Sequence, residues 1–153
     1  MKHKSFITAG FVLAALPSFS QLVPVNEPDY NKPKLFQAVA SHVPVSMTTI
    51  NRLFEAQTGE HLDINLSDSV PFRFEGEINA VVNKYDNQVM TVVMRSVNYP
   101  GANLTISKIM GADGQTRYKG RIVSFAHGDL YELQFIDNKY VLVKKGFYDL
   151  VNE

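Results

Sequence analysis

Residues 70–145 constrain this chain most, because apolar and polar side chains alternate along the stretch and Asp-Gly, Pro-Gly, Asp-Asn and His-Gly-Asp interrupt it at intervals. Period-two alternation puts successive side chains on opposite faces of an extended strand, and the interrupting residues are those whose backbones turn tightly. Together with 61–66, the pattern predicts about seven strands, over 72–82, 89–97, 104–110, 117–125, 130–136 and 140–144. Short loops join all of them, so neighbours in sequence become neighbours in an antiparallel sheet. No helix of crossover length separates them, which excludes a parallel arrangement.

Along the first long strand, Phe72, Phe74, Ile78, Ala80 and Val82 are expected on one face, and Arg73, Glu75, Glu77 and Asn79 on the other. Gly76 interrupts the apolar row, as at a bulge or a close backbone approach. The late strands carry apolar residues on both faces, for instance Tyr131, Leu133 and Phe135 beside Leu130 and Ile136. A sheet apolar on both sides needs cover or must curl, which predicts a coiled sheet or partial barrel.

Upstream, Pro33 suits a first helical turn, and Leu35, Phe36, Val39 and Ala40 recur at helical spacing until Pro44. A second helix is expected from Ser46 as N-cap, with Met47, Ile50, Leu53 and Phe54 on one face and Gly59 as its stop. The predicted fold class is therefore α+β: two short N-terminal helices packed on a curved antiparallel meander.

The N-terminus has the three parts of a secretory signal. Lys2, His3 and Lys4 form a charged start, residues 6–16 an apolar run, and Ser18-Phe19-Ser20 a small-residue cleavage site before Gln21. That run is shorter than the roughly 20 residues a membrane span requires, and no later segment is long enough either. Residues 1–20 are thus expected to be a signal peptide, 21–32 a flexible leader, and 33–153 one domain in the periplasm or outside the cell. The chain has no cysteine, which excludes disulfides and thiol catalysis and fits a bacterial exported protein better than a eukaryotic one. Two sequons, at Asn65 and Asn103, matter only in a host that glycosylates.

Removing Lys2 and Lys4 from the 15 basic residues leaves 13 against 15 acidic ones. This is too mild a balance for a nucleic-acid binder. The cations are unevenly placed. Arg117, Lys119 and Arg121 share one face of one strand, with Lys108 across the Asp-Gly hairpin on a side that depends on register. Such a ridge attracts an acidic protein loop, an anionic glycan or a lipid headgroup; cations there also discourage edge aggregation. The turns holding Tyr99 and holding His127 and Asp129 are the candidate binding loops.

Catalytic signals are lacking. Nucleophilic hydrolysis needs a serine and a histidine oriented by an acid, and the serines lack the strand–turn–helix setting of a nucleophile elbow. His61-x-Asp63 supplies two potential ligands, where zinc sites use three or four. No cofactor or metal motif is present. Glu75 and Glu77 read as solvent-facing carboxylates able to pair with Arg95 across a hairpin.

Phe74-Glu75-Gly76-Glu77-Ile78, residues 89–94, Tyr118-Lys119-Gly120-Arg121-Ile122 and Tyr131-Glu132-Leu133 are spaced as in the β-rich prodomain of reprolysin-type (adamalysin-like) zinc metallopeptidases. About half the chain resembles that prodomain. It departs from the pattern in lacking the cysteine that such prodomains often use to block zinc, and a catalytic domain after Glu153 is not expected. The resemblance implies a separately produced, non-catalytic protein that covers, assists or inhibits an exported peptidase, or else a truncated pro-region. The expected function is accordingly an exported binding module. The alternatives are a carrier of a small apolar ligand in a barrel-like pocket and, third, a small hydrolase using His127 or His61.

Overall fold

The computed structural model describes residues 29–150. The expected signal peptide and most of the leader lie outside the described residues. In chain order the elements are β1 (His42–Pro44), α1 (Met47–Leu53), β2 (His61–Asn65), β3 (Arg73–Lys84), β4 (Val89–Ser96), β5 (Asn103–Met110), β6 (Thr116–Val123), β7 (Asp129–Ile136) and β8 (Lys139–Gly146), then a 3-10 turn at Phe147–Leu150. All eight strands form one antiparallel sheet in the order β1-β8-β7-β6-β5-β4-β3-β2, curled into a half-barrel. No helix among the described residues is long and apolar enough to cross a membrane.

The meander from β2 to β8 follows the alternation, and its turns carry the backbone the sequence chemistry requires. Tyr85, Asp86 and Asn87 (φ 55°, 51° and 69°) and Asp137 and Asn138 (φ 48° and 63°) occupy the left-handed region. Asx residues tolerate that region better than most. Gly76 is a close approach: a Cβ there would lie 2.1 Å from the Arg95 carbonyl oxygen. The bulge comes just after it, where the register shifts between Ile78 and Ala80. One extra residue reverses the facing of everything beyond it. Val81, opposite Val92, therefore packs against the core, whereas Val82 is exposed, which corrects the expected apolar row of Ala80 and Val82.

The α+β class with two N-terminal helices is not what forms. The fold is predominantly β, and α1 is its one α-helix among the described residues. α1 begins as expected, with Ser46 as N-cap accepting from the Thr49 N–H. It ends at Leu53, short of Gly59, which instead takes φ +88° in the turn into β2. The first expected helix is replaced by irregular turns followed by β1, the eighth strand. Helix nucleation is costly, and Pro44 disfavours helical backbone at Val43. The sheet supplies competing partners for the same backbone groups. The Asp129 carboxylate accepts from the N–H of Leu35 (2.6 Å) and of Phe36 (3.0 Å). Lys144 Nζ donates to the carbonyls of Phe36 (2.6 Å) and Val39 (2.5 Å), and the Tyr131 hydroxyl donates to that of Ala40 (2.5 Å). Residues 33–41 thus form a strap across the concave side.

The strap carries the core's most central ring. Phe36 is fully buried, with Tyr99 and Tyr131 centroids each 5.1 Å away and Phe72 at 6.2 Å. Around this cluster lie Phe74, Ile78, Met94, Leu104, Ile106, Ile122 and Leu142 from the sheet, and Ile50 and Leu53 from α1. The curl is bridged at its open side by the start of α1: Ser46 N–H donates to the Leu66 carbonyl (2.9 Å), and Thr49 Oγ1 to that of Asn65 (3.1 Å). With the concave side occupied, the outer side of β6 presents the exposed Arg117, Lys119 and Arg121, while Val123 and Leu130 at the end of the β6–β7 ladder are buried.

Candidate binding face

On the outer side of β6, Arg117, Lys119 and Arg121 stand in a row, as their spacing predicts. Register fixes their neighbours: Arg121 lies beside Thr105, Lys119 beside Ser107 and Arg117 beside Ile109 on β5. Across β7, Arg121 faces Glu132. The row is not uniform. Arg117 is paired with Asp113 in its own hairpin, while Lys119 and Arg121 have no ion-pair partner among the described residues. Lys108 is opposite Tyr118 and belongs to the other face of the sheet, so it does not extend the ridge.

β7 and β8 add polar groups to this face. Glu132 accepts from Lys145 (2.7 Å) and from Gln134 Nε2 (2.7 Å), and these two donors hold its carboxyl below the usual carboxylate range. A groove of about 380 Å³ is lined by Lys119, Gly120, Glu132, Leu133, Gln134 and Lys145. A second, of about 220 Å³, runs beside it along Thr105, Ser107, Lys119, Gly120 and Arg121. Both share Lys119, so one cation serves two adjoining depressions. Such a surface favours anionic groups and offers hydroxyl donors beside them.

No family model, curated protein or solved structure matches this chain.

The candidate loops have structural duties. Tyr99 is half-buried, its ring within 5.1–5.9 Å of Phe36, Phe72 and Phe74, and burial raises its phenol pKa. Asp129 is 3 % exposed, and its two oxygens hold the strap. His127 Nδ1 lies 2.8 Å from Ser124 Oγ, a serine–histidine pair three residues apart in one turn. Ser124 is only 1 % exposed, and the adjacent carboxylate of Asp129 is directed to the backbone of Leu35 and Phe36, so nucleophile, base and acid do not line up. His61 Nε2 meets Glu75 (3.4 Å), which with Asp63 also holds Arg73. That network depresses the Asp63 pKa, chiefly through its hydrogen bonds from Arg73. Among the described residues, no group of His, Asp and Glu is arranged to hold a metal ion.

Sequence reasoning missed Glu132, Gln134 and Lys145 as members of the basic face. Their signal was available in the Asp137-Asn138 turn, whose tight geometry sets the β7–β8 register and with it the facing of all three residues.

Proposed function

We propose that this chain is an exported, non-catalytic binding protein that docks an acidic surface of another exported protein on the outer face of β5 to β8. The carrying observation is that Lys119 and Arg121 are exposed on one face, beside Thr105 and Ser107, without ion pairs to the described residues. Unneutralised cations held in a row on one strand favour fast, oriented encounter with an anionic partner. The signal-like residues 1–20 support export. Burial of Ser124 supports a role without nucleophilic catalysis. Packing of the concave face around Phe36 supports a platform rather than a carrier of an apolar ligand. A peptidase is the partner class that the prodomain resemblance implies.

The test is affinity capture from the producer's secreted fraction on the immobilised mature domain, beside the Lys119→Glu/Arg121→Glu variant and across a salt series. A peptidase retained by the wild type, released by moderate salt and lost from the variant supports the reading. Retention of the same proteins by both forms sinks it.

A further inference from the structure

The sheet forks. β6 pairs with β5 along its whole length, from Asn103↔Val123 to Met110↔Thr116, and β7 pairs with β8 from Asp129↔Gly146 to Ile136↔Lys139. Between β6 and β7 only three pairs form, Arg121↔Glu132, Ile122↔Tyr131 and Val123↔Leu130. Beyond them, residues 116–120 and 133–136 continue as strands whose facing edges have no register partner. Free edges at the margin of a sheet are common, but two facing each other inside one leave backbone donors and acceptors unpaired.

An aromatic wedge occupies the fork from the concave side. The Tyr118 N–H, lacking a strand partner, donates to the Tyr140 hydroxyl (3.0 Å), a side chain standing in for a backbone carbonyl. Tyr140 packs on Tyr118 (5.3 Å) and Phe135 (4.9 Å), and Tyr118 is braced by Phe54 (6.1 Å) and by donating its hydroxyl to Asn51 on α1 (3.0 Å). The wedge is only partly covered: Phe135 remains 60 % exposed. On the outer side the fork opens into the 380 Å³ groove beside Lys119, Glu132 and Gln134. Glu132 already has its donors, so the group there that lacks a counter-ion among the described residues is Lys119.

We infer that the fork receives an extended segment of the partner protein, added as a strand between β6 and β7, with acidic and apolar side chains alternating along it. Because β6 and β7 are antiparallel, the incoming strand is antiparallel to one and parallel to the other. Its alternate side chains then divide by chemistry. Those on the outer side meet Lys119 and Gln134, and those on the inner side meet Tyr118, Phe135 and Tyr140. The strand's carbonyl replaces the Tyr140 hydroxyl as acceptor for the Tyr118 N–H, and main-chain bonds supply the affinity while the two faces set the sequence preference. This inference rests on the proposed docking function and specifies how part of the same face engages its partner.

A fluorescent synthetic peptide alternating Glu and Val is the probe, titrated into the mature domain by anisotropy with amide exchange followed in parallel. Binding is expected to protect the amides of Tyr118 on β6 and of Leu133 and Phe135 on β7, which point into the fork, whereas those of Gln134 and Ile136 already face β8. N-methylation of alternate peptide nitrogens should weaken binding about tenfold or more, since each lost main-chain bond counts for roughly that factor. Tyr140→Phe removes the hydroxyl that the strand must displace and is expected to raise affinity about fivefold. Replacing every Glu of the peptide by Lys should abolish binding. An absence of binding, binding indifferent to N-methylation, or protection elsewhere overturns strand addition. Those outcomes leave the docking reading standing if partner capture still depends on Lys119 and Arg121.

Discussion

Removal of the Asp129 carboxylate tests how the strap is held. Both oxygens accept backbone N–H groups, from Leu35 at 2.6 Å and Phe36 at 3.0 Å, in a site where Asp129 is 3 % exposed. A hydrogen bond to a charged group contributes about 1.5–3 kcal/mol, so the pair sets a ceiling of about 3–6 kcal/mol. Desolvation of the carboxylate offsets part of this, leaving about 3 kcal/mol as the expected cost of Asp129→Ala. With a urea slope of about 1.5 kcal/mol/M, the midpoint should fall by about 2 M. Asp129→Asn keeps one acceptor but turns an amide donor toward an N–H, and should cost nearly as much. Phe36→Ala should cost about 3–5 kcal/mol on its own. Because both substitutions release the same strap, the double variant should cost at least about 1 kcal/mol less than the sum. Urea denaturation of the five proteins (wild type, the three single variants and the Asp129→Ala/Phe36→Ala double variant) measures every quantity. Additive losses, or an Asp129→Ala midpoint within a few tenths molar of wild type, would refute the idea that this carboxylate fastens Phe36 into the core.

Other perturbations read different parts of the molecule. Gly76→Ala drives a methyl to 2.1 Å from the Arg95 carbonyl oxygen, so the β3–β4 pair must part there; thermal unfolding should register a loss of about 2–3 kcal/mol. In alkali, the buried Tyr131 phenol titrates well above the ordinary tyrosine range, its pKa raised by burial and then by the Asp129 charge. The unfolded chain releases that proton near pH 10 while the native protein keeps it, so stability should fall with rising pH above about 10, by up to about 1.4 kcal/mol per pH unit. Tyr131→Phe should flatten the slope in denaturation curves taken at successive pH values. In acid, Glu132 has the opposite sign: its lowered pKa adds stability above the ordinary carboxylate range, lost as pH falls through that range toward the folded-state value. Glu132→Gln should remove that portion of the acid sensitivity.

The sheet was legible because its information is local. Alternation names the faces, and residues such as Asp137-Asn138 and Gly114 permit only tight reversals, so β2 to β8 follow from pattern and turn chemistry alone. Three features were not legible, each for a non-local reason. The strap shows a helical repeat at Leu35, Phe36, Val39 and Ala40, but its backbone partners Asp129 and Lys144 come from about a hundred residues away. Tertiary hydrogen bonds thus override a weak local preference. The bulge at Ile78/Ala80 leaves no mark that alternation can register until Val81 and Val82 exchange faces. Lys108 fell on the wrong side of the ridge because its facing depends on register across the Asp-Gly hairpin, where it meets Tyr118. On the candidate face, the ridge itself was readable, while its partition into a paired Arg117 and open Lys119 and Arg121 depended on where Asp113 points.

The two faces of the sheet are coupled through the fork. A curled sheet of eight strands encloses space that in closed barrels holds side chains or a ligand; here the chain's own strap and α1 enter it, bringing Phe36, Ile50 and Leu53. Tyr118 belongs to that interior through Phe54 and Asn51, and its neighbours Lys119 and Arg121 project outward on the same strand. Continuing the β6–β7 ladder to Tyr118 would require displacing Tyr140, whose hydroxyl now takes that residue's N–H. The interior packing therefore keeps the fork open, and the opening lies beside the cations that have no ion pair. If the wedge fixes the fork, Phe54→Ala should loosen Tyr118 and raise amide exchange at 116–120 while leaving the β7–β8 ladder protected. Equal exchange changes across all four strands would mean that α1 supports the sheet as a whole and has no particular hold on the fork.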